Sequence, residues 1–164
     1  MSTDPTAESQ VTLVVVTAEN LDTILGLSVS NEQQQYVASN ARSIAQAHFH
    51  QEAWFRAIFA DDTPVGFLML HDENLLDQVR RPDYYFLWRL MIDQRYQGMG
   101  FGRGALQCLV EHLRGRPNAK VLLSSYEEGP HEAGGFYAKL GFVKTGNKVG
   151  EEIEIQLSID LAHG

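Results

Sequence analysis

The residues best suited to chemistry lie in Gln97-Gly98-Met99-Gly100-Phe101-Gly102-Arg103-Gly104, between an apolar strand-like run and an amphipathic helix-like one. Glycines at such a junction let the backbone turn tightly and bring several N–H groups around one anion. The helix N-terminus adds unpaired donors and partial positive charge. A diphosphate is the natural guest. A plain strand-to-helix turn is the simpler reading, but glycines at 98, 100, 102 and 104 exceed what such a turn needs. No Lys-Ser/Thr pair follows them, which excludes a P-loop. A dinucleotide fingerprint fits Gly100, Gly102 and Ala105 only weakly. The turn comes late, and too little chain follows for the second half of such a sheet.

The elements that must hold this turn follow from periodicity. Residues 1–10 are polar and read as a loose tail ahead of a single domain over 11–164. Val11–Val16 is a β-branched strand, and Thr17 is placed to cap a helix burying Leu21, Ile24 and Leu25. Asn31–Phe49 is helical in pattern, with Tyr36, Val37, Ile44 and Ala47 inward and Asn40 where it divides. Trp54–Ala60 and Val65–Leu70 form a hairpin around Asp61-Asp62-Thr63-Pro64. Tyr84–Ile92 is apolar on both parities, hence a central strand. Leu106, Leu109, Val110 and Leu113 share a helix face that ends at Gly115-Arg116-Pro117. Val121–Ser125 is a strand, and Ala133–Leu140 a short helix closed by Gly141. Phe142–Thr145 and Ile153–Ile159 are strands around Gly146–Gly150. The order βααβββαβαββ predicts an α/β (α+β) fold with a mixed sheet and helices on both faces.

Composition narrows the partners. Hydrophobic residues at 44% and charged ones at 21% describe a globular chain rather than a disordered one. With 13 Lys+Arg against 21 Asp+Glu, the net charge of −8 speaks against nucleic acid and suits a cationic partner. No apolar run approaches the ~20 residues of a membrane span, and the N-terminus has no secretory pattern. One cysteine cannot close an internal disulfide, which fits a cytoplasmic location.

Gln97-x-x-Gly100-x-Gly102, after a strand and before a helix, resembles the acetyl-CoA signature of the GNAT N-acetyltransferase superfamily. Phe136-Tyr137-Ala138-Lys139-Leu140-Gly141-Phe142 is similar to that superfamily's late motif, and the element order fits from Val11 to Ile159. Glu32-Gln33, Tyr36-Val37-Ala38, Asn40, Ser43–Ala47 and Leu87–Asp93 resemble its spermine/spermidine acetyltransferase branch. The resemblance implies a mostly antiparallel sheet and acetyl-CoA as co-substrate, with no metal. The pyrophosphate would lie on the backbone of Gln97, Gly98, Met99, Gly100, Phe101, Gly102 and Arg103. The pantetheine arm would run where Tyr84–Ile92 splays from Val121–Ser125, pairing with backbone near Leu90, Met91 and Ile92. The acceptor implied is a primary amine of a small cationic metabolite, polyamines first, taken in a ternary complex. Acetylation of an amino acid, aminoglycoside or protein amine is the alternative among enzymes, and a non-catalytic acyl-CoA-binding regulator the alternative from another class. A homodimer is implied by the resemblance alone.

By the same resemblance Tyr137 protonates the leaving thiol. A free phenol near pKa ~10 facing a thiol near ~8.5 makes that transfer uphill by about 2 kcal/mol, so hydrogen bonding to the thiolate is the milder form of the role. Core filling beside Phe136 and Phe142 is the bland reading of the same ring. Where some relatives carry a strand glutamate as general base, this chain has Trp88. Glu32, His71, Asp72 and Glu73 remain as bases acting through water, each equally readable as a surface side chain. Pro130, followed by His131, stands where many relatives have an asparagine. Cys108 reads as packed rather than nucleophilic, and the histidines show no metal-ligand spacing. Glu32, Tyr84 and Trp88 are the candidate acceptor contacts. Asp72, Glu73 and Asp77 with Glu127, Glu128 and Glu132 form a negative mouth if their loops meet.

Overall fold

In the computed structural model, which describes residues 3–34, 36–129 and 134–160, the expected element order is met. The elements are β1 (Val11–Val14), α1 (Leu21–Leu25), α2 (Asn40–His48), β2 (Ala53–Ala60), β3 (Thr63–Asp72) and β4 (Tyr85–Ile92). They continue as α3 (Phe101–Arg114), β5 (Val121–Tyr126), α4 (Gly134–Lys139), β6 (Val143–Val149) and β7 (Glu152–Ser158). The strands form one sheet in the order β1-β2-β3-β4-β5-β7-β6. Neighbours are antiparallel except β4 and β5, which run parallel. β4 is the middle strand, as its two-sided apolar sequence requires.

Two cores follow from strand alternation. On one face Ile58, Leu68, Leu70, Tyr85 and Leu87 pack against Phe101, Ala105, Leu109, Val110 and Leu113 of α3, with Tyr137 and Phe142 at the margin. On the other, Ala57, Phe67, Met69 and Met91 pack against Ile24, Leu27 and Val29 around α1. α3 repeats its apolar residues at helical spacing, and Gly115 caps its end with N–H bonds to the His112 and Leu113 carbonyls.

The N-terminal half departs from expectation in its caps. Asn20, not Thr17, stands at the start of α1; its side chain accepts from the Thr17 N–H and donates to the Val15 carbonyl. Leu25 is exposed and Leu27 is buried in its stead. Residues 31–34 form turns rather than helix, and the single helix α2 starts at Asn40. Ser39 caps α2 by accepting from Arg42 N–H, while the buried Asn40 amide donates to the Ile24 carbonyl at 2.9 Å. A buried amide with a partner sixteen residues away reads as a helix breaker to any local rule. β6 also extends to Val149, with an irregularity between Lys144 and Lys148 in place of the expected turn. The start of the Ala133–Leu140 helix, together with Pro130, His131 and Glu132, lies outside the described residues.

At the end of β4 the chain is fixed by Asp93, whose carboxylate is nearly fully buried. It accepts from Ser28 N–H at 2.9 Å, Arg95 N–H at 2.9 Å and Arg95 Nε at 2.8 Å. Burial works to raise its pKa, but the Arg95 side chain and the two backbone donors outweigh it and hold the carboxyl below the usual range. Its stabilising contribution is therefore complete above about pH 4 and is lost as pH falls through the lowered native value. Asp93→Asn should destabilise the protein by about 1.5–3 kcal/mol at neutral pH. In thermal melts from pH 7 to pH 3, the gap between variant and wild type should close in acid.

Candidate active site

β4 and β5 touch at one register pair, Phe86 opposite Leu123, and then part. Two features cause the parting. Met69 of β3 faces Arg89 and Leu70 faces Leu87, so Trp88 is an extra residue, a β-bulge that bends β4. On the β5 side, the buried Ser124 hydroxyl donates to the Leu87 carbonyl at 2.8 Å, replacing a ladder bond with a longer side-chain link. Beyond that link the β5-facing edge of β4 has no strand partner among the described residues. The structure thus contains the expected splayed pair.

Tyr137 reaches this vertex from α4. Its hydroxyl lies close to Ser124, whose own proton goes to the Leu87 carbonyl. Burial pushes the phenol up to about 12, against the Ser124 hydrogen bond and the nearby Arg89 charge, which pull it down, while Glu152 adds to the rise. A donor at about 12 facing a thiol near ~8.5 is uphill by about 5 kcal/mol, more than twice the figure for a free phenol. A phenol raised this far stays protonated at neutral pH.

A cavity of about 410 Å³ opens at the C-terminal end of β4. Leu90, Met91, Ile92, Gln97, Gly98, Gly100, Phe101, Gly102 and Arg103 line it, together with Val29, Gln33, Tyr36 and Val37 of the α1–α2 connection and Phe136, Lys139 and Leu140 of the α4 segment. Nine of the expected contacts are therefore brought together. Met99 is not; it packs against the α3 core. Glu32 is exposed and its neighbour Gln33 lines the cavity instead. Gln97 ties the walls to each other, donating to the Ile92 carbonyl at 3.0 Å and to Gln33 Oε1 at 3.2 Å.

Gly100 caps α3 in the left-handed region with φ 85° and carries no side chain to occupy the helix end. The first N–H groups of α3, at Phe101, Gly102 and Arg103, therefore have no intrahelical acceptor and no capping oxygen. This is a cradle fitted to a diphosphate. Gly102 serves packing instead, since a Cβ there would meet Phe136 Cζ at 2.7 Å, and its absence lets α4 close against the turn.

The face of the sheet that carries α1 and α2 is open over β5 and β7. Phe86, Leu123, Ser125, Glu152 and Glu154 share it by register, and Tyr84 joins them by stacking on Phe86 with ring centroids 6.2 Å apart. Trp88 lies on this side with its edge against His50. Tyr84 and Trp88, the candidate acceptor contacts, are thus placed on this face. The acidic mouth is different from expectation. Asp72 is buried and paired with Arg116 at 2.7 Å, so it faces no pocket. Glu73 is buried against His71 and Arg81, and Asp77 accepts from Gln51. The negative charge on the open face comes instead from Glu152 and Glu154 of β7, which sequence spacing did not single out.

Sequence reasoning also missed Ser124 and Arg89. The Arg89 guanidinium donates to the Trp88 carbonyl and Gln46, while its buried Nε has no partner among the described residues. Cys108 donates to the Val11 carbonyl and burial raises its pKa, the reverse of a nucleophilic thiol. Among the described residues no group of three or more His, Cys, Asp or Glu could hold a metal, and no helix is long and apolar enough to cross a membrane.

A parallel strand pair parted over a bulge, with an anion cradle at its open end, defines an acyl-CoA-dependent acyltransferase architecture. The model of the Acetyltransferase (GNAT) family matches residues 19–142, and the chain belongs to that family. The spermine/spermidine N(1)-acetyltransferase of Bacillus subtilis strain 168 is 30% identical over 136 residues, covering 80% of this chain and 87% of that one. The fold matches the spermidine N-acetyltransferase of Vibrio cholerae, solved with CoA and spermine, at TM-score 0.68 and 16% identity over 94% of this chain and 99% of that one. It matches the aminoglycoside N(6')-acetyltransferase of Legionella pneumophila at TM-score 0.69 and 15% identity, over 94% and 95% of the two chains. At these identities the two structures speak for the fold alone.

Ser124→Ala should leave the Leu87 carbonyl at the parting of the strands without its donor. A stability loss of about 1–3 kcal/mol is expected in denaturant titrations.

Proposed function

We propose that this acetyltransferase moves the acetyl group of acetyl-CoA to a primary amine of a polyamine, by direct transfer while both substrates are bound. The observation that carries the reading is that the glycine-turn cavity is lined by Leu90, Met91 and Ile92, the part of β4 beyond its last pairing with β5. Acetyl-CoA supplies the acetyl group as a thioester and leaves as a thiol. The N–H groups at the start of α3 hold its diphosphate, and the unpaired edge of β4 from Trp88 to Ile92 receives the pantetheine amides as an added strand would. Tyr137 donates its single hydroxyl proton in a hydrogen bond to the departing sulfur. Cys108 takes no part.

The acceptor enters from the open face. Tyr84, Phe86 and Trp88 offer aromatic surface for a cation and its methylenes, and Glu152 and Glu154 offer charge. The polyamine choice rests on this face together with the named activity of the Bacillus relative. A second reading has one observation behind it. The unpartnered Arg89 Nε would suit a carboxylate, which favours an amino-acid amine as acceptor.

Thiol release from acetyl-CoA, measured against spermine, spermidine, putrescine, lysine, an aminoglycoside and a peptide N-terminus, decides between them. Turnover with polyamines and not with lysine is expected. Tyr137→Phe should lower kcat by about 10- to 100-fold with acetyl-CoA affinity unchanged, and an unaltered rate would remove Tyr137 from the mechanism. Gly100→Val should abolish acetyl-CoA binding in calorimetry while circular dichroism shows the fold intact. A β-branched residue at φ 85° is strained, and its relief moves the cradle.

A further inference from the structure

Trp88, at the bulge, has no atom that can take a proton, yet a primary ammonium near pKa ~10.4 costs about 5 kcal/mol to deprotonate at pH 7. Two imidazoles on this side of the sheet are paired with carboxylates, His50 with Glu52 at 3.1 Å and His71 with Glu73 at 2.6 Å, and the second has the shorter contact and the more buried carboxylate. His71 of β3 sits opposite Phe86 of β4, which is itself opposite Leu123, the last pair before the strands part. Its Nε2 lies 2.6 Å from Glu73 Oε2. An ionised carboxylate only accepts, so Nε2 carries the proton and the Nδ1 lone pair is free. Nδ1 has no hydrogen-bond partner among the described residues, and the side chain is 20% exposed while Glu73 is 6% exposed. A base oriented by a buried carboxylate, with its other nitrogen toward solvent, is the arrangement that general-base catalysis uses.

We propose that His71, oriented by Glu73, takes the proton of the acceptor ammonium through one bridging water; the assignment rests on the acetyl-transfer reading above. Strands lie about 4.8 Å apart, so the midline of the β4/β5 opening is about 7 Å from the His71 backbone. One water making two hydrogen bonds of about 2.8 Å spans the remainder. One proton of the ammonium passes by this water to Nδ1 and then to solvent. The freed lone pair forms the bond to the acetyl carbon as the carbon–sulfur bond breaks, and the second nitrogen proton ends on the departing thiol. The charged and titratable groups around the ring are Glu73 after β3, Glu52 before β2 with its partner His50, Tyr84 with its T-shaped contact at 5.1 Å, and Arg81, 3.6 Å from Glu73. Glu73 acts as a positioning residue.

The test is the pH dependence of kcat/KM for spermidine, from about pH 6 to 10.5, in wild type, His71→Gln and Glu73→Gln. With an internal base the wild-type profile is flat from about pH 7 to about 9, well below the amine pKa. Without it, only acceptor already neutral in solution reacts, so the His71→Gln profile should climb about tenfold per pH unit up to the amine pKa. The expected loss is about 1000-fold at pH 7 and vanishes near pH 10, with acetyl-CoA affinity unchanged in calorimetry. Glu73→Gln should lower kcat less than His71→Gln does and leave KM for spermidine unchanged, a split that loss of structure alone would not produce. A His71→Gln enzyme that keeps the wild-type rate and plateau overturns the base assignment and leaves acetyl transfer standing. No thiol release by the wild type with any polyamine overturns the acetyl-transfer reading and this assignment with it.

Discussion

The structure depends on keeping two parallel neighbours apart inside an otherwise continuous sheet. Adjacent strands gain by zipping, and unpaired backbone groups in a core are costly. β4 and β5 stay open because the bulge at Trp88 bends one of them, and because Ser124 satisfies the Leu87 carbonyl at a distance no backbone donor would choose. Everything that binds or reacts is arranged around that opening. The turn after β4 lies at its mouth, Tyr137 reaches its vertex from one face, and the aromatic and acidic residues look onto it from the other.

An opening of this kind must be clamped at both ends. At the closed end the Tyr85 hydroxyl donates to the Pro117 carbonyl at 2.6 Å and accepts from Asn74, while Asp72 grips Arg116. These bonds tie the β3–β4 connection to the segment before β5, so the strands cannot drift apart where they first meet. At the open end Asp93 pins the start of the glycine turn to Ser28 of the α1–α2 connection, and Asp93 N–H donates to the Val65 carbonyl. The packing of Tyr36 against Gly129 adds a bridge between the loops on either side. The buried carboxylates of Asp72, a candidate base in the sequence, and Asp93 are thus the fasteners of the frame.

Much of this was legible in the chain. The element order, the central place of β4 and the turn cavity followed from periodicity and glycine spacing, because each is a local property. The caps of α1 and α2 did not, since Asn20 and Asn40 take partners outside their own helices. The glycine run looked uniform but is divided in labour: Gly98 and Gly100 adopt positive φ, whereas Gly102 and Gly104 make room for Phe136 and Val11. Spacing shows that small residues are required and cannot show by what. Ser124, Arg89 and Glu152 were invisible for a related reason, since each matters only for what lies across a gap that no sequence window spans. Asp72 misled because an acidic residue after a hairpin is usually solvated, and here an arginine forty-four positions away pulls it inside.

The bulge carries one more consequence. Leu87 and Arg89 face consecutive residues of β3, so removing Trp88 from the count leaves every other side chain of β4 on its present face. The core would not notice the difference, but the strand would run straight alongside β5. The protein's scaffold and its reactivity are therefore written in separate parts of the same strand: eight residues build β4, seven would suffice for the sheet, and the surplus one makes it an enzyme.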